Sequence, residues 1–327
     1  MDEINCIFCG IESSNVVIEE NGFKGRKCPK CGLIYISPRP SRDEVHDLYG
    51  HDDAQIPAAV HIGGDFGKRL DARHHLKLIR RFIGSGSLLE VGAGAGYFLD
   101  EARNLGFVPF AIEFNPIQAN HIRERLKIPC AESPLDPSLF DGRTFDVIYH
   151  CDVVSHFFDP IGDFRSMYAL LNDDGLLVFE TGNFGDMSQR YFHHIRRFQY
   201  PDHLFFFSSE NLRTLLDQTG FHVECIYRYS ILPQKRFINA VAFLKNLISR
   251  PSRSSALDVP PVTAHRAEGA GPSSSARGAG ALKWLRNAYI YLGYLLRYVV
   301  GRFVVRPDEP QTVLVIARKR RGLIGTG

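Results

Sequence analysis

The sequence predicts an α/β protein built on a doubly wound, seven-stranded, mostly parallel sheet. Two observations carry this. From Ser87 onward, apolar runs of strand length alternate with stretches of helical spacing, the pattern of a parallel sheet covered on both faces. Within that pattern a buried strand ending at Val91 turns through a glycine-rich loop directly into a helix, the junction at which doubly wound sheets bind ligands. The size agrees, because 327 residues with 44% hydrophobic content suffice for one large core with one or two small appendages.

Taken in order, residues 1–50 form a Cys-bearing module with short strands at 16–18 and 33–36, closed by the turn-rich SPRPS. A lead-in helix follows from Asp65 to Ile83, with Leu70, Leu76, Ile79 and Phe82 as its apolar set and Gly84 and Gly86 as its stop. The core strands are expected at 87–91, 107–113, 128–131, 145–150, 175–181, 221–228 and 312–318, with helices near 96–105, 115–126, 160–171 and 208–219 between them. Ser208 or Ser209 caps the last of these helices and Gly220 ends it. The core is thus expected over 65–231 plus 307–320, interrupted by an insertion at 232–306.

That insertion holds twelve Lys and Arg against two acids, Asp258 and Glu268, a local charge of +10. With a total of +3, the rest of the chain carries −7. The asymmetry points to an anionic partner, and the alternative is a solvated insertion. Residues 251–280 are rich in Pro, Gly, Ser and Ala and are expected to be a disordered linker. Residues 281–305 have helical spacing, with Lys283, Arg286 and Arg297 on one side and Leu285, Ala288, Leu292, Leu295, Leu296 and Val299 on the other. Their longest uncharged stretch, Asn287 to Leu296, is too short to span a bilayer but is suited to peripheral contact with an anionic membrane. The first residues, MDEINCIFCG, carry no secretory pattern, so a cytoplasmic protein with such peripheral association is expected.

Four of the seven cysteines, Cys6, Cys9, Cys28 and Cys31, stand as C-x2-C-x18-C-x2-C. Two-residue spacing lets both thiolates of a pair reach one ion, and four thiolates satisfy tetrahedral Zn2+ with no open position, a structural site. Iron or incidental free thiols are the alternatives. Cys130, Cys151 and Cys225 read as buried apolar thiols in strands.

The glycine loop lies in LLEVGAGAGYFLDEA, where Gly92, Gly94 and Gly96 let the backbone turn tightly at a helix N-terminus whose free N–H groups favour an anion. A dinucleotide fingerprint needs G-x-G-x-x-G, yet the sixth position from Gly92 is Tyr97. The E-x-G-x-G-x-G spacing from Glu90 instead resembles class I S-adenosylmethionine-dependent methyltransferases. FDVIYHCDVVSHFFDP is similar to that family's fourth strand and following turn, with Ser155 in the place usually held by Glu and with His156 and Asp159-Pro160 kept. LNDDGLLVFETGN, PDHLFFFSSENLRTLLDQTGF and TVLVIARK resemble the fifth strand, the approach to the sixth, and the closing antiparallel strand. With its four-Cys ribbon and CGLIYISPRPS segment the chain looks like the sugar C-methyltransferase group, without that group's further C-terminal domain.

The resemblance implies a Rossmann-like methyltransferase core. It implies that Glu113, about twenty residues past the loop, accepts from ribose hydroxyls, that Glu90 helps to position the methionyl end, that Glu132 meets the adenine amino group, and that Asp152 lines the methionine side. A hydroxyl or carbon acceptor also needs a base, for which His156 and His203 are best placed; His193 and His194, in a lid region, read as surface residues. The expected activity is methyl transfer to a small molecule such as a sugar or a lipid-linked glycan precursor. RNA or protein methylation and a non-catalytic S-adenosylmethionine-binding scaffold are the alternatives. Nucleic acid is the weaker partner, since the core lacks an aromatic and basic stripe for stacking bases.

Overall fold

The computed structural model describes residues 1–45, 58–194, 202–248 and 276–320. The N-terminal part holds β1 (Val16–Glu20), β2 (Phe23–Lys27) and β3 (Ile34–Ile36). Two helices follow, α1 (Ala58–Gly63) and α2 (Asp65–Ile79). The core then alternates through β4 (Gly86–Val91), α3 (Tyr97–Asn104), β5 (Phe107–Ile112), α4 (Pro116–His121), β6 (Cys130–Ala131), β7 (Phe145–Cys151), α5 (Pro160–Leu170) and β8 (Leu171–Gly182). After β9 (Phe205–Phe206) come α6 (Ser209–Gln218), β10 (Phe221–Ser230), α7 (Leu232–Ile248), α8 (Ala276–Tyr294) and β11 (Gln311–Lys319).

Seven of these strands form one sheet in the order β10-β11-β8-β7-β4-β5-β6. The β4–β5, β4–β7, β5–β6 and β7–β8 pairs are parallel, and β11 runs antiparallel between β8 and β10. This is the expected doubly wound sheet, and its central strands read as continuous apolar runs because both faces are covered. On one face α2 buries Leu76 and Ile79, while α3 buries Phe98 and Leu99. On the other, α5 buries Phe164 and Met167, and α6 buries Leu212, Leu215 and Leu216. The helix starts follow from local chemistry. Asn115 accepts from the amides of Ile117 and Gln118 ahead of Pro116, Asp159 accepts from Gly162 ahead of Pro160, and Ser208 and Asn211 form a reciprocal capping box.

The N-terminal strands do not stand apart from this core. The order β1-β2-β3-β9 makes a second sheet, in which Ile34 and Tyr35 pair with Phe206 and Phe205 of the later chain. The strand at 23–27 and the short β9 were not expected from the sequence. Cys130, Cys151 and Cys225, expected to be buried, are only partly so.

The insertion departs most from expectation. Most of the 251–280 linker lies outside the described residues, but residues 276–280 are helical, so the helix starts before 281. It continues through a π-helical turn (Leu295–Val300) and a last turn at Gly301–Phe303. Its inward face is not the apolar side of the simple wheel. Arg297 and Tyr298 point into the protein, whereas Leu285, Leu292 and Val299 are exposed. The cause is long-range: the Arg297 guanidinium meets the buried Glu180 carboxylate of β8 at 2.7 Å, a partner that no periodicity reveals.

Candidate functional site

The parallel topology brings the carboxyl ends of β6, β5, β4, β7 and β8 side by side, and with them Glu132, Glu113, the glycine loop, Asp152 and Thr181. Gly92, Gly94 and Gly96 all have positive φ, at 71°, 55° and 74°. A Cβ on Gly92 would sit 2.7 Å from a Val153 methyl, and one on Gly96 would sit 2.8 Å from Ile122. The loop is therefore shaped both by backbone conformation and by close packing against the neighbouring crossover.

Glu113 clamps the tip of this loop. The Gly94 amide donates to its Oε2 at 2.6 Å and the Asn115 amide to its Oε1 at 2.8 Å. Burial pushes the carboxyl up and these amide bonds oppose it, with the net direction upward. Each oxygen keeps a second lone pair for a hydroxyl donor. Glu90, one strand away, is buried, and its Oε2 has no hydrogen-bond partner among the described residues. Burial first, and then the charge of Glu113, raise it well above the carboxylate range. A buried acceptor without a donor costs about 1–3 kcal/mol, and it suits a site completed by a cationic or N–H-bearing ligand. Asp152 lies at the lip of the cleft with φ 54°, in the left-handed region that aspartate enters more readily than most residues. Glu132 is exposed at the sheet edge and paired with Arg123 at 3.0 Å.

Asp152, Ser155, Thr181, Gly182 and His203 line a small cavity of about 30 Å³ walled by Phe184 and Phe205–Phe207. His203 stacks on Phe206 and lies 4.3 Å, ring centre to ring centre, from His156. The Nδ1 of His156 is 3.1 Å from Asp202 Oδ1 and 3.0 Å from the Asp202 carbonyl. Burial alone would lower His156, but the Asp202 contacts outweigh it and raise it above the usual histidine range. His203 is pushed down to about 4 by burial, with the His156 charge adding to the effect. At neutral pH the ring that faces the cavity is therefore neutral. The side chains of His193 and His194 lie outside the described residues.

The geometry up to this point is that of a ligand cleft at the carboxyl edge of a doubly wound sheet. A family model described as a methyltransferase domain matches residues 67–226, the span that contains all of these groups. Residues 67–226 of this chain are therefore similar to a methyltransferase domain. The enzyme class expected from the glycine loop, an S-adenosylmethionine-dependent methyltransferase, is the one this match supports. No curated protein matches the chain. Among solved structures, the chain is similar to a candidate sarcosine dimethylglycine methyltransferase from Galdieria sulphuraria, at 13% identity over 77% of this chain and 85% of the other with a TM-score of 0.46. It is also similar to an S-adenosylmethionine-dependent methyltransferase from Archaeoglobus fulgidus, at 15% identity over 76% and 93% with a TM-score of 0.44. Likenesses this distant say nothing about a substrate.

Behind the methyltransferase cleft lies a buried polar network that sequence reasoning missed. Glu180 Oε2 meets His75 Nε2 at 2.8 Å, and the Tyr298 hydroxyl donates to the same oxygen at 3.1 Å. His75 Nδ1 in turn lies 2.7 Å from the Tyr149 hydroxyl. Burial would raise Glu180, yet Arg297 and His75 hold it down to about 2. The backbone links this network to the cleft, since the Asp152 amide donates to the Glu180 carbonyl at 2.9 Å.

The four N-terminal cysteines also converge. The sulfurs of Cys6, Cys9, Cys28 and Cys31 all lie within 4.8 Å of one another, those of Cys6 and Cys31 at 3.4 Å. Each pair sits on a tight turn closed by a glycine with positive φ, Gly10 at 66° and Gly32 at 73°. The Gly10 amide donates to the Cys6 carbonyl and the Gly32 amide to the Cys28 carbonyl. Four soft donors brought this close, with Cys6 and Cys28 buried, fit a tetrahedral thiophilic ion.

Proposed function

We propose that the protein transfers the methyl group of S-adenosylmethionine to a small-molecule acceptor presented at the carboxyl edge of the sheet, beside His203. The observation that carries this reading is the carboxyl edge itself, where the Glu113-clamped glycine loop, the unpartnered Glu90 oxygen and Asp152 lie beside a histidine-lined cavity. S-adenosylmethionine supplies a methyl group already activated on a sulfonium, so the protein's tasks are alignment, water exclusion and acceptance of a proton.

These tasks divide among named residues. Glu113 accepts from the ribose hydroxyls while keeping the Gly94 amide in place. Glu90, Asp152 and the loop hold the methionyl end, and Glu132 is the contact for adenine. The Phe184 and Phe205–Phe207 wall excludes water. His203, neutral and facing the cavity, takes the acceptor proton, and the His156–Asp202 pair beside it sets the local charge. Zn2+ on the four cysteines fastens the N-terminal turns and has no open position for chemistry. A sugar or lipid-linked glycan precursor is the acceptor class favoured, through the likeness of the ribbon and its following segment to sugar C-methyltransferases. Formation of S-adenosylhomocysteine in the presence of candidate sugars tests this. The expected result is an acceptor-dependent product that His203→Ala abolishes while cofactor binding persists, and turnover unchanged in that variant would remove His203 from its role.

A further inference from the structure

Large apolar side chains are unevenly exposed on this molecule. Of the twenty exposed among the described residues, thirteen belong to α7, α8 and the turns that follow α8. Leu282, Trp284, Leu285 and Phe303 are the most open on the second helix, at 70%, 68%, 56% and 81%, with Phe243 at 66% on the first. Residues 285, 289, 292, 299 and 303 recur at steps of three, four and seven, which keeps them close to one stripe of a helix. The opposite stripe is committed inward. Tyr294 and Tyr298 pack on His74, Arg297 binds Glu180, and a Cβ on Gly301 would meet the Ser230 carbonyl at 2.4 Å. The two helices are joined, with Phe237 and Tyr289 at 5.2 Å. An exposed apolar surface of this extent marks an interaction site.

Its charge identifies the partner. The described stretches 232–248 and 276–306 contain nine Lys and Arg and no acid. Arg297 is neutralised by Glu180, while Lys283, Arg286, Arg302 and Arg306 remain at exposed positions beside the apolar stripe. Among the described residues no helix is long and apolar enough to cross a membrane. Apolar side chains flanked by basic ones on a helix that cannot span are the requirements for lying in the interface of an anionic bilayer. We infer that α7 and α8 form an interfacial anchor that docks this enzyme on an anionic membrane surface. An equally basic second copy of the same face would be repelled. The inner face of the anchor reaches Glu180, one residue from Thr181 of the cavity. That the docked cleft draws its acceptor from the bilayer rests on the methyl-transfer reading; the docking itself does not.

The chain's single tryptophan, Trp284, is exposed next to that stripe, so its emission reports contact with the bilayer directly. The full chain, loaded with zinc, is titrated with vesicles of phosphatidylcholine alone and of phosphatidylcholine mixed with phosphatidylglycerol, and co-sedimentation is measured in parallel. The anionic vesicles should shift Trp284 emission to the blue and carry the protein down. The double variant L285D/F303D, which alters only exposed positions, should bind them at least about tenfold more weakly while its S-adenosylmethionine affinity and melting temperature stay those of the wild type. An unshifted Trp284 spectrum with anionic vesicles overturns the proposal. So does a blue shift that develops with protein concentration alone together with a dimer mass by light scattering, because the face would then belong to a second copy.

Discussion

The identity of the side chain at a few positions decides what the cleft can do. Gly92 combines a φ of 71° with a Val153 methyl where a Cβ would stand, so Gly92→Ala should both strain the loop and press on the crossover after β7. We expect a loss of about 1–3 kcal/mol, read as a lower midpoint in urea unfolding. The histidine pair makes a second prediction. Asp202 raises His156 above the ordinary range, so His156 sheds its proton, and stops disfavouring a proton on His203, only as the pH rises through that raised value. Turnover should therefore climb with pH above the ordinary histidine range of about 6.5, and Asp202→Asn should move the climb to lower pH. A pH–rate profile of the two proteins checks this, and an unmoved limb would separate Asp202 from the chemistry. At this scale the sequence was partly transparent. The glycines and Glu113 were legible because their spacing is local, whereas the Asp202 partnership was not, since the fold joins positions 46 residues apart.

Whole elements follow their periodicity well until a partner lies far away in the chain. Every strand of the large sheet was legible as an apolar run, and its helices as periodic stretches with visible caps and stops. The helix was legible over 281–305, though not in its first turn at 276–280 and not in its orientation, because a wheel assigns arginine to water and cannot see Glu180 on β8. Replacing Arg297 by Met tests how strongly that pair fixes the helix. It takes the arginine from a buried carboxylate and leaves only His75 and Tyr298 to hold it, which should cost at most about 3–5 kcal/mol, measured by chemical denaturation. Glu180 supplies a pH signature as well. Its folded pKa, held down to about 2, lies below the unfolded carboxylate value, so its contribution is present at pH values above the unfolded pKa and is lost as the pH falls towards about 2. The stability difference between wild type and Glu180→Gln should accordingly narrow on acidification across that window.

For the molecule as a whole, the N-terminal module and the core share strand pairing and an apolar cluster. The sequence suggested a separable ribbon, since fifty residues with four cysteines read as a unit, and it gave no sign that Phe205 and Phe206 would add a fourth strand to it. That pairing, the bond from Asn211 to the Cys31 carbonyl at 2.9 Å and a shared apolar cluster running from Leu33 to Leu212 tie the cysteine turns to α6 and the active-site wall. Removing the metal with a chelator should therefore lower the melting temperature of the whole chain in one transition; a separate early transition that leaves the main one in place would show an independent module. The central claim, that this sheet edge binds S-adenosylmethionine through the glycine loop and Glu113, is tested most directly by calorimetric titration of the zinc-loaded protein with the cofactor, beside Glu113→Ala and Gly94→Val. Micromolar binding, of the order of 8 kcal/mol, that both substitutions weaken by at least about tenfold is the predicted result, and a folded wild-type protein that takes up no cofactor would contradict it.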